Sequence, residues 1–460
     1  MSRHVILLSY YFPPHAAVSV FRSLRFATHL RQTGWEPAVV TSDAVKGDVH
    51  FDESLLQRVP EGLVVRRCPL VRREDQLKRW LRLGSPTHGQ ASPSASNGNN
   101  AGLPNGNAAA DKKASDAQSF RSLVSEFLFA VPDNKIGWRH AAAQATQQLV
   151  REFGSEVIFA SGPPFSVHLA ALDASRSTRV PLVLDFRDPW SRDPWGRRGR
   201  SRLAKMRHVA MERTCVETAR RVILNTERMA DEFRRHYADL PADKFVCIPN
   251  GFDEQLYDLA AEVTDHAAQE KAGKPLQMLH PGSIYGPRDP AVLLQALQQV
   301  RDSGHERIEF VQLGGCDKRG RLEQSIRELH LQDEVRLLPP VPHREVFEHM
   351  GRADVLVIIQ QGTSVQVPGK FYEMLPFRKP ILAFVDDGST ADLVRKYQLG
   401  YVAPPDNLTL TTAATRDALA AARSGVLRAN FDAAIADYDA RKLAWRLAQE
   451  LEAVAGHPAR

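Results

Sequence analysis

The chain alternates short apolar runs with segments in which apolar residues recur every three or four positions. HVILLSY is followed by a periodic stretch from Val20 to Leu30 and by GWEPAVVTSD, which predicts strand, helix, glycine turn and strand. Such a βαβ unit predicts a parallel sheet. The pattern recurs in four further strands, each ending in a polar or Pro/Gly-rich tip: VIFASGPP, PLVLDFRDPW, RVILNTE and KFVCIPNGFD.

The same alternation restarts after a polar stretch at residues 260–274, which we interpret as a linker. The C-terminal segment DYDARKLAWRLAQELEAV predicts an amphipathic helix, with leucines four residues apart at 443, 447 and 451. The predicted fold is α/β, with two doubly wound domains that face a cleft and a trailing helix. The strands predicted in the second half are LQMLH, IEFVQLGG, EVRLLPPVP, DVLVIIQ, PILAFVD and LGYVAPPD.

Residues 84–118 break the first domain with a stretch rich in Gly, Ser, Asn, Ala and Pro. This stretch has almost no bulky apolar residue, so it cannot bury enough surface to offset the entropy of ordering it. We therefore predict a disordered insertion there and not a domain boundary.

Length and composition fit this picture. At 460 residues the chain is too long for one typical core, and 43% hydrophobic and 25% charged residues are ordinary for a soluble globular protein. No apolar run reaches the roughly 18 residues that span a bilayer, and the apolar run near the N-terminus is too short for a signal peptide. The four cysteines form no CxxC pair, which indicates a reduced compartment and argues against a disulfide framework or structural zinc site.

Positive charge is concentrated in one part of the chain. The net charge is +6, and residues 185–235 alone carry fourteen Lys or Arg against eight Asp or Glu. A solvated basic helix face and attraction to an anionic membrane both explain this excess. RRGRSRLAKMRHVAMER at 197–213 and LKRWLRL at 77–83 have the composition of interfacial segments. No nucleic-acid motif accompanies the charge, so we expect no nucleic-acid partner.

In the second half, two strand tips carry candidate anion-binding groups. VPGKFYEM would present the backbone N–H groups of Gly369, Lys370 and Phe371 at a helix start, with Glu373 one turn further in. The alternative is a well-capped helix with a surface lysine. GSIYGPRD is a Gly-rich loop in which Arg288 has the fork geometry that suits a diphosphate.

In the first half, SGPPFSVH places His168 just inside a helix that starts at a strand tip, where a lone histidine is more often structural. DFRDPW brings Asp185, Arg187 and Asp188 to another tip, either as a self-satisfied ion-pair cluster or as groups for a polar substrate. The chain has no GxSxG, HExxH or Walker motif. The Asp-x-Asp at Asp437 and Asp439 lies at a helix start, so we interpret it as capping and predict no metal site.

The number and order of these stretches resemble glycosyltransferase family 4, whose members are retaining, sugar-nucleotide-dependent enzymes with the GT-B fold. YYFPPHAAVSVFRSLRFATHLRQTGWEPAVVT resembles the family's first βαβ unit, and VILNTERMADEF and CIPNGFD resemble the end of its N-terminal domain. HPGSIYGPRDPAVLLQAL and VPGKFYEMLPFRKPILAF resemble the donor site. VPDNKIGW, ASGPPFSVHLAAL and LDFRDPW resemble a branch involved in cell-surface polysaccharide and lipopolysaccharide assembly.

Three positions depart from the family pattern. The first Glu of the family's Glu-x₇-Glu signature would fall at Val365, while Glu373 matches the second. Ser283 replaces the usual Arg of the first donor loop, and Arg288 fills the basic position five residues later. Ala16-Ala17 stands in place of a double glycine.

The resemblance implies an acceptor-side Rossmann-like domain at 1–259, a nucleotide-sugar-binding domain at 275–430 and a helix at 431–460 that packs back on the first domain. It also implies roles for three groups of residues. Asp188, His168 and Glu373 would be catalytic, and Pro14, His15 and Arg187 would lie on the acceptor side. The donor and its diphosphate would be bound by Gly282, Ser283, Arg288, Gly369, Lys370, Phe371 and Glu373.

The implied reaction moves a sugar from a nucleoside-diphosphate sugar to a glycan or lipid-linked acceptor, without an obligatory metal or permanently bound cofactor. We expect a cytoplasmic protein, with peripheral association with the inner face of the plasma membrane as a hypothesis. Two alternatives stay open. One is a GT-B sugar-nucleotide epimerase or hydrolase, and the other is a degenerate binding protein that keeps the fold without catalysis.

Overall fold

A computed structural model describes residues 3–17, 19–44, 51–71, 131–194, 201–268, 275–304 and 307–455. The predicted insertion at 84–118 lies outside these ranges. So do LKRWLRL at 77–83, the first four residues of the basic stretch at 197–213, and residues 269–274 of the predicted linker.

The first domain is built on a seven-stranded parallel sheet in the order β3-β2-β1-β4-β5-β6-β7. Its strands are β1 (Arg3–Ser9), β2 (Trp35–Ser42), β3 (Val64–Cys68), β4 (Val157–Gly162), β5 (Leu182–Phe186), β6 (Arg221–Leu224) and β7 (Phe245–Cys247). Its described helices are α1 (Val20–His29), α2 (Arg139–Phe153), α3 (Ser166–Thr178), α4 (Arg202–Thr218) and α5 (Glu227–His236).

The second domain repeats the plan on a six-stranded parallel sheet in the order β10-β9-β8-β11-β12-β13. Its strands are β8 (Leu276–His280), β9 (Ile308–Leu313), β10 (Val335–Leu338), β11 (Val355–Gln360), β12 (Ile381–Val385) and β13 (Gly400–Ala403). The helices from the domain crossing onward are α6 (Gln255–Ala268), α7 (Ala291–Asp302), α8 (Arg319–Glu328), α9 (His343–Arg352), α10 (Gly369–Met374), α11 (Ser389–Tyr397), α12 (Leu408–Ser424), α13 (Phe431–Tyr438) and α14 (Ala440–Val454).

Burial on both faces explains why most strands were predictable. β4, β5, β11 and β12 are buried along their whole length, as expected for parallel strands covered by helices on both sides. β3 was missed because it is an edge strand with alternating exposure and two arginines, VVRRC. No helix in the described ranges is both long and apolar enough to cross a bilayer.

The chain passes between the domains twice, and the two passages lie side by side. The Phe252 N–H donates to the Tyr438 carbonyl at 3.2 Å, and the Ala440 N–H donates to the Phe252 carbonyl at 3.1 Å. Gly251 makes this approach possible, because a Cβ there would lie 2.3 Å from the Tyr438 carbonyl oxygen. The domains are therefore joined by a short paired segment.

The last helix returns to the first domain, which confirms the predicted crossing back. Leu443, Leu447 and Leu451 of α14 pack into the apolar layer that also contains residues of α1 and β1. Asp439 caps α14 by accepting a hydrogen bond from the Arg441 N–H at 2.8 Å, so its capping role is also confirmed.

The linker prediction needs a correction over its first part. Residues 260–268 belong to α6, and Leu256 and Ala260 of this helix pack in the second domain's core. Polar composition was misleading because an amphipathic helix exposes its polar face. The exact domain boundaries stay predictions.

A buried ion pair connects α1 to the first sheet. The Arg22 guanidinium donates to both Asp185 carboxylate oxygens, at 2.9 and 2.7 Å, and Ser161 donates to the same carboxylate at 2.6 Å. The side chains of Arg22 and Asp185 are 5% and 0% exposed. Arg22 also donates to the carbonyls of Ile248 and Pro249, just before the chain leaves the domain. Asp185 is thus a structural residue.

We predict that Asp185→Ala lowers the free energy of unfolding by about 3–5 kcal/mol, because it leaves a buried guanidinium without its carboxylate. Chemical denaturation followed by circular dichroism measures this loss. Glu323→Ala, which breaks the exposed pair with Arg319, is the matched control and is expected to cost less than about 1 kcal/mol. Equal losses in the two variants would contradict the structural role of Asp185.

Candidate functional site

The topology of the second domain points to one edge of its sheet. β8 and β11 are neighbours, and the chain winds outward from them in opposite directions, so the sheet reverses its strand order between them. Ligands of open α/β sheets bind at such a switch point, beyond the carboxyl ends of the strands. The loop after β8 carries Gly282, Ser283 and Arg288, and the loop after β11 leads to Lys370.

Direct contacts hold these two loops together. The Gln361 side chain accepts from the Asp289 N–H at 2.6 Å and donates to the Asp289 carbonyl at 2.9 Å. The loop after β9 joins them, because a Cβ on Gly314 (φ +144°) would lie 2.7 Å from the Gly282 carbonyl oxygen. The structure thus brings the loops after β8, β9 and β11 into one cluster. The role of this cluster and its ligand stay predictions.

Arg288 lies partly buried in this cluster. Its guanidinium stacks over the Tyr285 ring at 4.2 Å and donates to the Ser283 carbonyl at 2.9 Å. Its Nε has no hydrogen-bond partner among the described residues. Burial lowers the pKa of Arg288 from its ordinary value. Ser283 itself is exposed, and its Oγ accepts from the Gly315 N–H at 3.2 Å.

Two buried polar side chains lie under the same loop with unused capacity. His280 ends β8, and its Nδ1 lies 2.9 Å from the Val357 carbonyl oxygen. Gln312 near the end of β9 donates to the Gly282 carbonyl at 2.6 Å. The His280 Nε2 and the Gln312 Oε1 have no partner among the described residues. Burial lowers the pKa of His280 to about 4, so the ring is neutral at neutral pH.

Lys370 and Glu373 form an ion pair at the start of α10. Their Nζ–Oε2 distance is 2.8 Å, and the His343 Nε2 lies 3.4 Å from the same oxygen. Burial alone would raise the pKa of Glu373, but the charge of Lys370 and the contact with His343 outweigh it and bring the pKa to about 2. Glu373 is therefore an anion held by two basic side chains.

The predicted helix-start amides are only partly available. The Phe371 N–H donates to the Pro368 carbonyl at 3.0 Å, and the Phe371 side chain is fully buried in the second domain's core. Phe371 thus acts through packing, which leaves the half-buried Gly369 and Lys370 as the accessible part of this helix start.

His343 also links the Lys370–Glu373 pair to the first domain. Its ring stacks on Phe21 of α1, with centroids 5.4 Å apart and planes at 17°. The Arg58 guanidinium lies over the Phe21 ring, 5.4 Å from its centroid. The second domain's candidate site therefore lies where the two domains meet.

The loop between β11 and α10 contacts the first domain with its backbone and two side chains. Val365 is 9% exposed and packs within the first domain's core, and its carbonyl accepts from the Thr226 hydroxyl at 2.5 Å. The Gln366 Nε2 donates to the Asp188 Oδ1 at 2.6 Å. Arg228 adds a further contact across the boundary, to Asp392 and to Asp387, with nitrogen–oxygen distances of 2.5–2.9 Å.

Asp188 is thus at the domain boundary, but His168 and Arg187 do not reach it. His168 is fully buried beside Phe165, Phe186 and Trp190, and burial lowers its pKa to about 4. Its Nε2 lies 3.2 Å from the Asp185 carbonyl oxygen. The family resemblance implied a catalytic role for His168, whereas its apolar surroundings enclose it away from the domain boundary.

Arg187 is used to hold loops. It donates to the carbonyls of Gly162 and Pro163 after β4 and to the carbonyl of Ser19 before α1. Its side chain is nearly enclosed, and burial lowers its pKa. The expected contact with an acceptor is therefore replaced by contacts with two backbone segments at the first domain's own switch point, between β1 and β4.

Pro14 and His15 lie in the loop after β1 at that switch point. The His15 Nε2 lies 3.0 Å from the Ser42 Oγ, and the ring packs edge-on against Tyr11 at 5.3 Å. The Pro14 carbonyl accepts from the Asp52 N–H at 2.8 Å. Both residues are buried, so Tyr11 is the more accessible side chain of this loop.

Two family models match consecutive parts of the chain. The Glycosyl transferase 4-like domain matches residues 110–251, and Glycosyl transferases group 1 matches residues 262–432. The first model covers β4 to β7 of the first domain, and the second runs from α6 to the start of α13 and includes the switch point between β8 and β11. The chain belongs to the family 4 glycosyltransferases of the GT-B fold.

Individual relatives of this glycosyltransferase are distant. A D-inositol 3-phosphate glycosyltransferase from Kineococcus radiotolerans is 30% identical over 164 residues, which are 33% of this chain and 37% of that protein. The match thus spans little more than a third of that relative's length.

Solved structures extend the likeness to the whole fold. Anabaena HepE in complex with UDP has a TM-score of 0.63 at 15% identity, covering 98% of this chain and 100% of that one. The lipopolysaccharide outer core galactosyltransferase WaaB in its apo form has a TM-score of 0.56 at 10% identity, covering 98% and 99%. At such identities the likeness shows the fold alone.

Sequence reasoning missed several residues that the glycosyltransferase structure brings to the domain boundary. His343 starts a helix after β10, and the carboxyl end of a parallel strand was the signal that could have found it. Gln366 directly follows Val365, the position at which the family pattern has its first Glu. Phe21, Thr226 and Arg228 belong to helices or helix starts, and nothing in a linear motif marks them as contacts between domains.

We predict that Glu373 stabilises the fold above pH 4.5 and loses this effect as the pH falls towards 2. Its folded pKa is about 2 against an ordinary value of 4.5, so protonation favours the unfolded chain in this window. Glu373→Gln should lower the free energy of unfolding at neutral pH by at most about 3 kcal/mol, with the difference from wild type narrowing below pH 4.5. Urea titrations at several pH values measure it. Glu323→Gln on the surface is the control, and a difference for Glu373→Gln that stays constant with pH would contradict the pairing.

We predict that Val365→Glu does not restore the family's usual carboxylate contact but opens the domains. The new carboxylate would be placed in an apolar core, where an unpaired charge is strongly unfavourable. Small-angle X-ray scattering should show a larger radius of gyration, and the melting temperature should fall. Val365→Ala keeps the position apolar and should leave the radius unchanged. A compact Val365→Glu variant with increased activity would refute this interpretation.

Proposed function

We propose that this glycosyltransferase moves a sugar from a nucleoside-diphosphate sugar to a glycan or lipid-linked acceptor, with retention of configuration. One observation carries the proposal. Arg288 lies on the loop after β8, and Lys370 starts α10 directly after the loop that follows β11; Gln361 ties these two loops together. A diphosphate is the ligand whose charge and size suit two such cations at a strand-order reversal.

The same cations would stabilise the leaving group. As the bond between the sugar carbon and the diphosphate oxygen breaks, negative charge develops on the diphosphate. Fixed positive groups aimed at developing charge are often the largest contribution to rate, and removing one costs about 3 kcal/mol. Gly282 lets the backbone approach the phosphates closely, and the unused hydrogen-bonding atoms of His280 and Gln312 lie below that loop.

Glu373 would hold a ribose hydroxyl of the donor. Its low pKa keeps it an acceptor of hydrogen bonds at neutral pH, and Lys370 and His343 fix its position. We propose that Lys370 shares its charge between this carboxylate and the bound diphosphate. No metal would then be obligatory, since side-chain cations provide the compensating charge.

The acceptor would enter from the first domain's side. Asp188, held by Gln366, is the carboxylate at the boundary that can orient an acceptor hydroxyl. Retention would follow same-face attack: the acceptor oxygen bonds to the sugar carbon, the diphosphate leaves, and a leaving-group oxygen takes the acceptor's proton. His168 and Arg187 would position the loops around Asp188 without contacting substrate.

A role in cell-surface polysaccharide synthesis at the cytoplasmic face of the plasma membrane completes the proposal. It rests on the sequence resemblance to that branch and on the fold shared with an outer core galactosyltransferase. Uridine is the first base to test, because a structural neighbour binds UDP. A GT-B epimerase or hydrolase shares the fold, and fold alone does not separate these activities.

We predict that a nucleoside diphosphate stabilises the protein by about 2.7 kcal/mol at 100 times its dissociation constant. Thermal unfolding with UDP, GDP, ADP and the corresponding sugar nucleotides measures the stabilisation. Arg288→Ala and Lys370→Ala should lose most of it, whereas Arg416→Ala on the outer helix α12 should keep it. Addition of EDTA should change neither binding nor transfer.

The outcomes separate the alternatives. Stabilisation by one base that is lost in both variants, together with acceptor-dependent release of the nucleoside diphosphate, supports transfer. Release of free or epimerised sugar without acceptor would favour the epimerase or hydrolase. Binding of none of these nucleotides would favour the degenerate binding protein.

A further inference from the structure

The outer face of α4 exposes three large apolar side chains in a row. Leu203, Met206 and Val209 are 66%, 61% and 46% exposed and follow each other at intervals of three residues. Such spacing places them on one side of the helix. In the described part of the chain, the other exposed large apolar residues lie outside α4: Leu56, Val64, Val71, Tyr285, Leu410, Val426 and Trp445.

Only basic charges accompany these side chains in the first three turns. Arg202 and Lys205 are exposed beside them, whereas Arg213, further along the helix, is paired with Glu217 and Asp239. The acidic residues of α4 lie elsewhere, since Glu212 is fully buried and Glu217 pairs with Arg213 in the last turn. The face is therefore apolar and positively charged at once.

The opposite face of α4 is fixed to the loop that follows β5. The Trp190 indole N–H donates to the His208 Nδ1 at 2.9 Å. Glu212 accepts from the Ser191 N–H at 2.6 Å and from the Tyr237 hydroxyl at 2.7 Å. These buried contacts prevent the helix from rotating, so its apolar side chains stay outside.

We propose that the outer face of α4, made of Arg202, Leu203, Lys205, Met206 and Val209, binds an anionic bilayer surface. Apolar side chains on such a face enter the headgroup region, while the basic ones attract the anionic lipids. A second copy of the chain fits this face less well, because a symmetric pairing would bring basic residues against each other.

This inference deepens the proposed function and rests on it only for the acceptor. Asp188 lies two residues before Trp190, whose indole holds α4. Binding through α4 would therefore bring the acceptor side of the boundary close to the headgroups, where a lipid-linked acceptor can reach it.

Flotation of the full-length protein with vesicles tests the inference. We expect binding to phosphatidylglycerol–phosphatidylcholine vesicles, little binding to phosphatidylcholine alone, and weakening by salt. Arg202→Glu/Lys205→Glu should weaken binding by at least about 25-fold, since each basic residue at an anionic surface contributes about fivefold. Leu203→Ser/Met206→Ser/Val209→Ser should weaken it by about tenfold or more. Leu410→Ser/Arg416→Glu, a matched change on exposed positions of α12, should bind like wild type.

The inference is overturned if wild type does not bind anionic vesicles, or if both α4 variants bind as well as the α12 control. Light scattering tests whether a second copy of the chain binds this face instead. A wild-type dimer that becomes monomeric in the α4 variants would assign the face to a second copy. Thermal stabilisation by the nucleoside diphosphate is measured on every variant. If the nucleoside diphosphate still stabilises a variant that does not bind vesicles, that variant is folded. If wild type binds vesicles but no nucleotide stabilises it, the proposed donor site is rejected and the membrane-binding face is not.

Discussion

The buried pair of Arg22 and Asp185 is the contact on which the rest of the arrangement depends. One guanidinium joins the tip of β5, through Asp185, to the carbonyls of Ile248 and Pro249. Arg25, one turn further along α1, continues this with the Gly251 carbonyl and Asp253. The helix that starts at the first domain's switch point therefore also fixes where the chain leaves that domain. Because a buried charge is tolerated only with its partners in place, this geometry allows little variation.

From that fixed point the relation between the domains follows. The outgoing passage at Phe252 pairs with the returning passage at Tyr438 and Ala440, so the chain crosses between the domains in one short segment. At the other end of the boundary, Thr226, Asp188 and Arg228 contact the second domain through Val365, Gln366 and the Asp387–Asp392 region. The contacts of Thr226, Asp188 and Arg228 are hydrogen bonds and ion pairs, and Val365 adds apolar packing within the first domain's core.

The sequence was sufficient for the architecture but not for the site. Runs such as VIFASG and DVLVIIQ are mainly apolar because helices cover both faces of the sheet, and this signal is local. β3 and residues 260–268 of α6 were not predicted correctly, because an edge strand and a helix with a polar face lack this continuous apolar signal. The sequence predicted Asp188, Lys370 and Glu373 as site residues because they follow strands; the structure places them at the domain boundary, and their roles stay predictions. His168 and Arg187 also follow strands, yet both face inward. His168 is enclosed by Phe165 and Trp190, and Arg187 by two backbone loops. This packing depends on residues far apart in the chain, so a local pattern does not predict it.

Val365 shows how the boundary and the site constrain each other. A carboxylate at this position would have to lie in the apolar layer that holds the loop against the first domain, so the loop cannot both pack there and present a charge. The charged groups lie elsewhere: Lys370 and Glu373 at the start of α10 contact His343, and Arg288 lies on the loop after β8. His343 then stacks on Phe21 of α1, which directly precedes Arg22 in the same helix. The cations proposed to bind the donor are thus connected to the contacts at the domain boundary and, through α1, to the buried pair of Arg22 and Asp185. The departure from the family pattern at Val365 is a consequence of how the domains pack.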